Sequence, residues 1–284
     1  MNLNDQRIIY EDDTALNDVS VSLGSFREGE ETFEFVTAED YLYIGSFLPF
    51  NHKHFDIGTA NSNASVFSID LWSGSSWDAA RDIIDGTSVS GVSLAQDGII
   101  RWTMDRQETW HRELDSFSVS GLESTEDGKE IYDMYWVRMK WSSDLSAGTS
   151  LKYTGQKFSK DSELYDLYPD LNRAALKTAY ESGKTDWEEQ HYLACDAIIR
   201  DLRKNNSILS PGQIIDYEIF NEPSIYKTAE IIFQGLGKSY DDRREQARDK
   251  YLETFNQNYL RLDIDGNTRL TGIERTIRTG FMTR

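Results

Sequence analysis

Chemistry in a chain of this kind starts with its histidines, its cysteines and any carboxylates at ligand spacing. His52 and His54, in NHKHFD, have H-x-H spacing with Asp56 two residues beyond. On a strand all three would face one side, a start for a metal site that still lacks a fourth ligand. Pro49 and Asn51 just before them argue instead for a loop. In DIDGNTRLTGIE, the residues Asp263, Asp265, Asn267 and Glu274 stand at positions 1, 3, 5 and 12 of a calcium loop. The sixth position, which wants glycine for its sharp turn, is Thr268. A plain acidic turn accounts for the same residues. Gly91–Ala95 (GVSLA) resembles G-x-S-x-G, but a D-G turn and a strand pattern follow it where a nucleophile elbow requires a helix. Cys195 sits beside Ala194 within a helical pattern and reads as a small buried residue. His111 and His191 read as polar or interface positions. With 49 carboxylates in the chain, acidic pairs of glycosidase type arise by chance. No phosphate-loop or dinucleotide motif occurs. The expectation is therefore no catalytic residues, no cofactor and no metal.

The elements that must position these residues fall into two patterns. From Asp18 to about Phe158 the apolar residues alternate at period 2, with many aromatic and β-branched side chains. Strands are expected at Val19–Leu23, Thr32–Val36, Tyr41–Ile44, Val66–Trp72, Ile99–Met104, Ser116–Val119, Tyr132–Trp141 and Leu151–Phe158. A short helix is expected near Trp77–Ile84. Many short strands separated by turn residues imply a sandwich or jelly roll. Six of the seven tryptophans lie in this half. Trp136 and Trp141 are five apart on one strand and so point to opposite faces, one to the core and one to a surface or interface. Trp110 and Trp141 are candidate interface aromatics, with sugar stacking as the alternative.

After a linker at about Thr154–Ser162 the period changes to 3.6. Helices are expected over Ser162–Leu171, from a Thr185/Glu188 capping box to Lys204, over Gln213–Phe220, from Asn221 to a Gly237 cap, and from Tyr240 to about Leu262. Their stripes are Trp187, His191, Ala194, Ile198 and Leu202, then Ile225, Ala229, Ile232, Phe233 and Leu236, then Ala247, Tyr251, Phe255, Tyr259 and Leu262. The fold class expected is α+β. A β-sandwich or jelly-roll-like domain spans 1–160, a helical domain 161–266 and a C-terminal arm 267–284.

Charge is uneven. Residues 1–160 hold 13 basic and 27 acidic side chains, and residues 161–284 hold 17 and 22. The segment Asn267–Arg284 carries four arginines and one glutamate, against −19 for the whole chain. Such acidity argues against wrapping DNA or binding anionic lipid. A hydrophobic content of 38% argues against a disordered chain. One cysteine excludes an internal disulfide. The first residues lack the apolar stretch of a signal peptide, and no run reaches membrane-spanning length, so no membrane partner is expected. Ile273, Ile277 and Phe281 recur every four residues in the basic tail, which would give one apolar face on a partner. A frayed terminus is the alternative.

Four blocks carry a resemblance: YDLYPDLNRA, EQHYLACDAIIRDLRKNN, IIDYEIFNEPSIYKTAEIIFQGLG and DDRREQARDKYLETFNQNYLRLDIDG. Together they make Leu164–Leu270 similar to the head-to-tail adaptor (head-completion) proteins of tailed bacteriophages. YLYIGSFLPFNHKHFDI, SIDLWSGSSWDAARDIIDGTS and IIRWT resemble a β-module of tailed-phage virion proteins. The resemblance implies a virion protein at the head–tail junction, assembled in the host cytoplasm as a ring of about twelve copies. Its partners would be the portal, a tail or further connector protein, and the capsid. DNA would pass through the lumen without sequence-specific binding. The arm would reach the portal through Arg269, Ile273, Arg275, Ile277, Arg278, Phe281 and Arg284. The large N-terminal module departs from the smallest members of that family. A carbohydrate-binding or adhesion module is the competing expectation, resting on the tryptophans.

Overall fold

The computed structural model describes residues 6–27, 29–37, 39–103, 110, 119, 122, 134–204, 208, 210–257, 259–260 and 277–278. The fold is mixed α and β, with two antiparallel sheets of six and five strands and six α-helices among the described residues. The chain divides into two compact units between Gly155 and Gln156.

In the first unit, the six-stranded sheet comprises β1 (Gln6–Asp12), β2 (Ala15–Asp18), β4 (Tyr41–Ser46), β6 (Phe67–Trp72), β7 (Trp77–Ala79) and β10 (Tyr135–Trp141). Its spatial order is β2-β1-β4-β10-β6-β7. The five-stranded sheet runs β3 (Glu31–Thr32), β11 (Ser150–Gly155), β5 (His52–Ile57), β9 (Gly98–Thr103) and β8 (Arg81–Asp85). Period-2 alternation decides which side chains meet. Ile8 lies opposite Ile44, Ile44 opposite Val137 and Val137 opposite Leu71, so one row crosses four strands. These residues share a single buried cluster with Phe55, Ile100, Trp102 and Leu151 of the other sheet. The inner faces of both sheets therefore make one core.

The other face of the six-stranded sheet carries a second cluster of Ile9, Tyr43, Trp72 and Trp136 with Val119, Leu122 and Met134. Trp136 lies across from Gly45, where a Cβ would stand 2.9 Å from the indole ring. The glycine leaves that space for the ring. The alternation argument for Trp136 and Trp141 holds in direction, since the two occupy different clusters. It fails in exposure: both are buried, because each face of the sheet is covered.

Several expectations are corrected here. Ser20–Gly24 is a short helix, α1, in place of the expected strand. Its Ser20 hydroxyl bonds the backbone of Ile8, which turns the chain back onto β1. Trp77–Ile84 forms the edge strands β7 and β8 instead of a helix, each pairing with a neighbour. Only Glu31–Thr32 of Thr32–Val36 and its neighbourhood joins a ladder. Ser116–Ser118 lie outside the described residues.

The second unit holds α2 (Asp161–Leu167), α3 (Ala174–Tyr180), α4 (Glu188–Lys204), α5 (Asn221–Leu236) and α6 (Asp241–Gln257), with 3-10 turns between them. α5 is central and packs on α2, α3, α4 and α6. The expected stripe of α4 is buried along its length, as are Ile225, Ala229, Ile232 and Phe233 of α5. Among the described side chains of α6, only Ala247, Tyr251 and Phe255 are buried, a line recurring every four residues. Gly237 ends α5 at φ 87°, in the left-handed region a C-terminal glycine supplies. α6 stops at Gln257, and Tyr259–Leu260 (β12) instead pairs antiparallel with Ile277–Arg278 (β13). The helix expected over Gln213–Phe220 is instead a 3-10 turn at Tyr217–Phe220, preceded by another at Pro211–Gln213.

The expected linker is not a free connection. Thr154 and Gly155 belong to β11, and Gln156, Lys157, Phe158 and Ser159 are all buried.

Candidate functional site

The densest polar chemistry of the second unit gathers around His191. The helical period that buries Trp187 also turns His191, one turn later, into the core, where it is fully buried. Its Nε2 lies 3.2 Å from Asp161 Oδ1 at the start of α2. On the other side, Nδ1 lies 2.7 Å from Ser159 Oγ and 3.3 Å from Thr228 Oγ1 of α5. Ser159 Oγ is also 2.7 Å from Ser224 Oγ, and Thr228 donates to the Ser224 carbonyl at 2.8 Å.

Asp161 does more than face the imidazole. It accepts the Tyr165 hydroxyl at 2.5 Å and the Trp187 backbone N–H at 3.3 Å. It thus supplies an acceptor to an amide at the start of α4, the role a cap residue plays. The expected Thr185/Glu188 capping box does not form: Thr185 bonds Asp186, and Asp186 accepts from Glu188 N. Burial pushes the Asp161 carboxyl up, but hydrogen bonds from His191 and Tyr165 and the His191 charge outweigh it, leaving the group below its usual range. The Tyr165 hydroxyl is raised, first by burial and then by its bond to Asp161.

Serine, histidine and aspartate in series at these distances have the connectivity of a hydrolytic triad. The setting does not suit that chemistry. Ser159 is 4% exposed, and His191 and Ser224 are completely buried, so no scissile group meets the serine in the folded unit. The arrangement ties the segment before α2, α2 itself, α4 and α5 to one another. Sequence reasoning places His191 on the right face of α4 but misses its partners. The signal is faint: Ser159 and Asp161 stand two apart just ahead of a helix, and nothing local says they close on a histidine thirty residues on.

Other candidate residues separate. His52, His54 and Asp56 lie on β5, a strand and not a loop, and all are buried. His52 Nδ1 is 2.8 Å from Asn51 Oδ1. No group of three metal-ligating side chains forms among the described residues. Ser93 of GVSLA is buried and bonds Asp85 at 2.5 Å. Cys195 is buried, and burial, with Asp196 adding to it against Lys157, raises its thiol well above the ordinary value.

Trp110 and Trp141, expected as interface aromatics, are 2% and 5% exposed. Trp110 donates its indole N–H to the Trp136 carbonyl, and its ring meets Phe50 and Tyr135 edge-on. Trp141 packs between Phe35 and Phe67. Each is core because its ring fills the space between neighbouring aromatics. In the basic tail, Ile277 and Arg278 form β13. Arg269, Ile273, Arg275, Phe281 and Arg284 lie outside the described residues, as does the acidic loop of Asp263, Asp265, Asn267 and Glu274. No helix among the described residues is long and apolar enough to cross a membrane. The chain matches no family model, no curated protein and no solved structure with which it was compared.

Proposed function

We propose that the chain is a structural virion protein, a head-to-tail adaptor that forms a ring between portal and tail and lets DNA pass through its lumen. The observation that carries this reading is the packing of the four resembling blocks. They supply α2, α4, α5 and α6, and these fold together around α5 as one helical unit. In this reading the first unit is the β-sandwich or jelly-roll-like module and the second the adaptor domain. The segment from Asn267 is the portal-binding arm, carried by its four arginines and its spaced Ile273, Ile277 and Phe281. The net acidity suits a wall that must not retain passing phosphates. The polar cluster at His191 serves to hold helices together, so the reading is non-catalytic. Trp110 and Trp141 are buried, which favours the adaptor reading over the carbohydrate-binding alternative at those two rings.

Gold labelling of a tag on this chain in intact particles, viewed by electron microscopy, tests the proposal. Label at a single position between head and tail is expected. Label over the shell or on fibres, or particles without the chain, overturns it.

A further inference from the structure

Three loops of the first unit differ from the rest of this acidic chain in carrying almost no charge. Residues 59–66, 87–96 and 142–149 hold one charged side chain between them, Asp144, where the chain as a whole is 28% charged. The Asp144 carboxylate accepts the Thr37 amide at 2.8 Å. The carboxylates flanking the second loop are also taken up: Asp85 accepts from Thr87 and Ser93, and Asp97 from the Ile57 amide. The loops come from distant parts of the sequence but are bonded into one surface. Asn61, 3% exposed, donates its side-chain amide to the Ser93 carbonyl and accepts the Ser146 N–H. Ser142 Oγ accepts the Val66 amide, and Asn63 Nδ2 donates to the Asp144 carbonyl. Backbone bridges join Ser65 to Val92 and Val92 to Val89, so Val66 and Val89 rise from adjoining chain. Those valines are 64% and 44% exposed, and Ser62, Asn63, Ala64 and Ser90 around them are exposed too.

Such a surface gives up its water at low cost. Neutral groups are cheaper to bury than carboxylates, and the centres of protein interfaces are depleted of charge. Cross-bonded loops also lose little conformational freedom on contact. The chemistry selects the partner. Serine and asparagine side chains both donate and accept, so a face built of them can bond to a copy of itself, with valine meeting valine. A carboxylate face only accepts, and it repels its own copy. At a net charge of −19, two copies of this chain meet with least repulsion where charge is missing. We infer that these loops form a docking surface for a second copy of the chain, a two-fold contact of like faces centred on Val66 and Val89. The contact uses the first unit alone, so it stands or falls independently of the adaptor role.

Light scattering of the full chain tests this. Between about 5 and about 200 µM the mass should climb from one chain toward two. Raising NaCl from about 0.05 to about 0.5 M should tighten the association at least about twofold, because salt screens repulsion between the acidic bodies and the contact holds no ion pairs to weaken. Val66→Asp with Val89→Asp should weaken it at least about tenfold. Val21→Asp, at a valine 70% exposed on α1, should leave it unchanged. If the double variant does not fold, Ala64→Asp, at an exposed position of the first loop, makes the same comparison. A mass that stays at one chain, association that salt weakens or that the loop variants leave unchanged, or an equal loss with Val21→Asp would overturn the inference.

Discussion

Replacing Asp161 with alanine tests the reading of the His191 cluster most directly. The carboxylate accepts from His191 Nε2, from the Tyr165 hydroxyl and from the Trp187 amide. Removing it strands a fully buried imidazole N–H and an amide at the head of α4. Leaving a buried donor without a partner costs about 1–3 kcal/mol each. The Asp161 side chain is itself 24% exposed, so water reaches part of the vacated space and trims the total. A net loss of about 2–4 kcal/mol is expected, which for a unit of this size lowers the melting temperature by on the order of 10–20 °C. The pH dependence gives a second handle. The folded carboxyl is held below its ordinary value of 3.8, so its contribution is complete above the unfolded value and disappears as pH falls through the folded one. The stability gap between the two proteins should begin to close as pH falls below ~4. Thermal unfolding followed at 222 nm between pH 3 and 7 measures both. A gap under about 1 kcal/mol at pH 7, or one that persists unchanged at pH 3, would refute the tie assigned to Asp161.

Three further outcomes are expected. Gly45→Val drives a side chain into the Trp136 ring and should cost about 1–3 kcal/mol, read as a lower denaturation midpoint and a changed near-ultraviolet dichroism. Trp141→Ala should cost about 3–5 kcal/mol, because the indole fills the space between Phe35 and Phe67; a change under 1 kcal/mol would mean the residue is not core. Cys195 in the unaltered chain should react with a disulfide reagent at pH 8 at least a hundredfold more slowly than in denaturant, since its thiol is buried and raised; fast reaction would place it at the surface.

Periodicity carries most of the helical unit. The α4 stripe from Trp187 to Leu202 and the α5 stripe from Ile225 to Phe233 are buried as expected, because apolar residues at period 3.6 line up on one side of a helix and must be covered there. Ends are harder to read. Tyr259 continues the apolar spacing of α6, yet it pairs as a strand with Arg278, a partner almost twenty residues away. Trp77–Ile84 misleads because alternation there is weak and the pairing comes from β6 and β9. The tryptophans show the limit most plainly: alternation says which face a ring is on, while burial depends on what covers that face. The His191 cluster is hard to read in sequence for the same reason, since its members come from three separate stretches of chain.

The strand order of the first unit bears on how the protein is made. β10 separates β4 from β6, and β11 separates β3 from β5, although both are the last strands of their sheets to be synthesised. A nascent chain that has not yet released residues 135–155 from the ribosome has a gap through the middle of the six-stranded sheet, and its five-stranded sheet lacks the strand that joins β3 to β5. Its earlier strands hold open edges and half a core, waiting for neighbours still in the exit tunnel. Folding of the β unit during translation should therefore come late and all at once, and truncations ending before residue 135 should be captured by chaperones or aggregate instead of forming a smaller stable sheet.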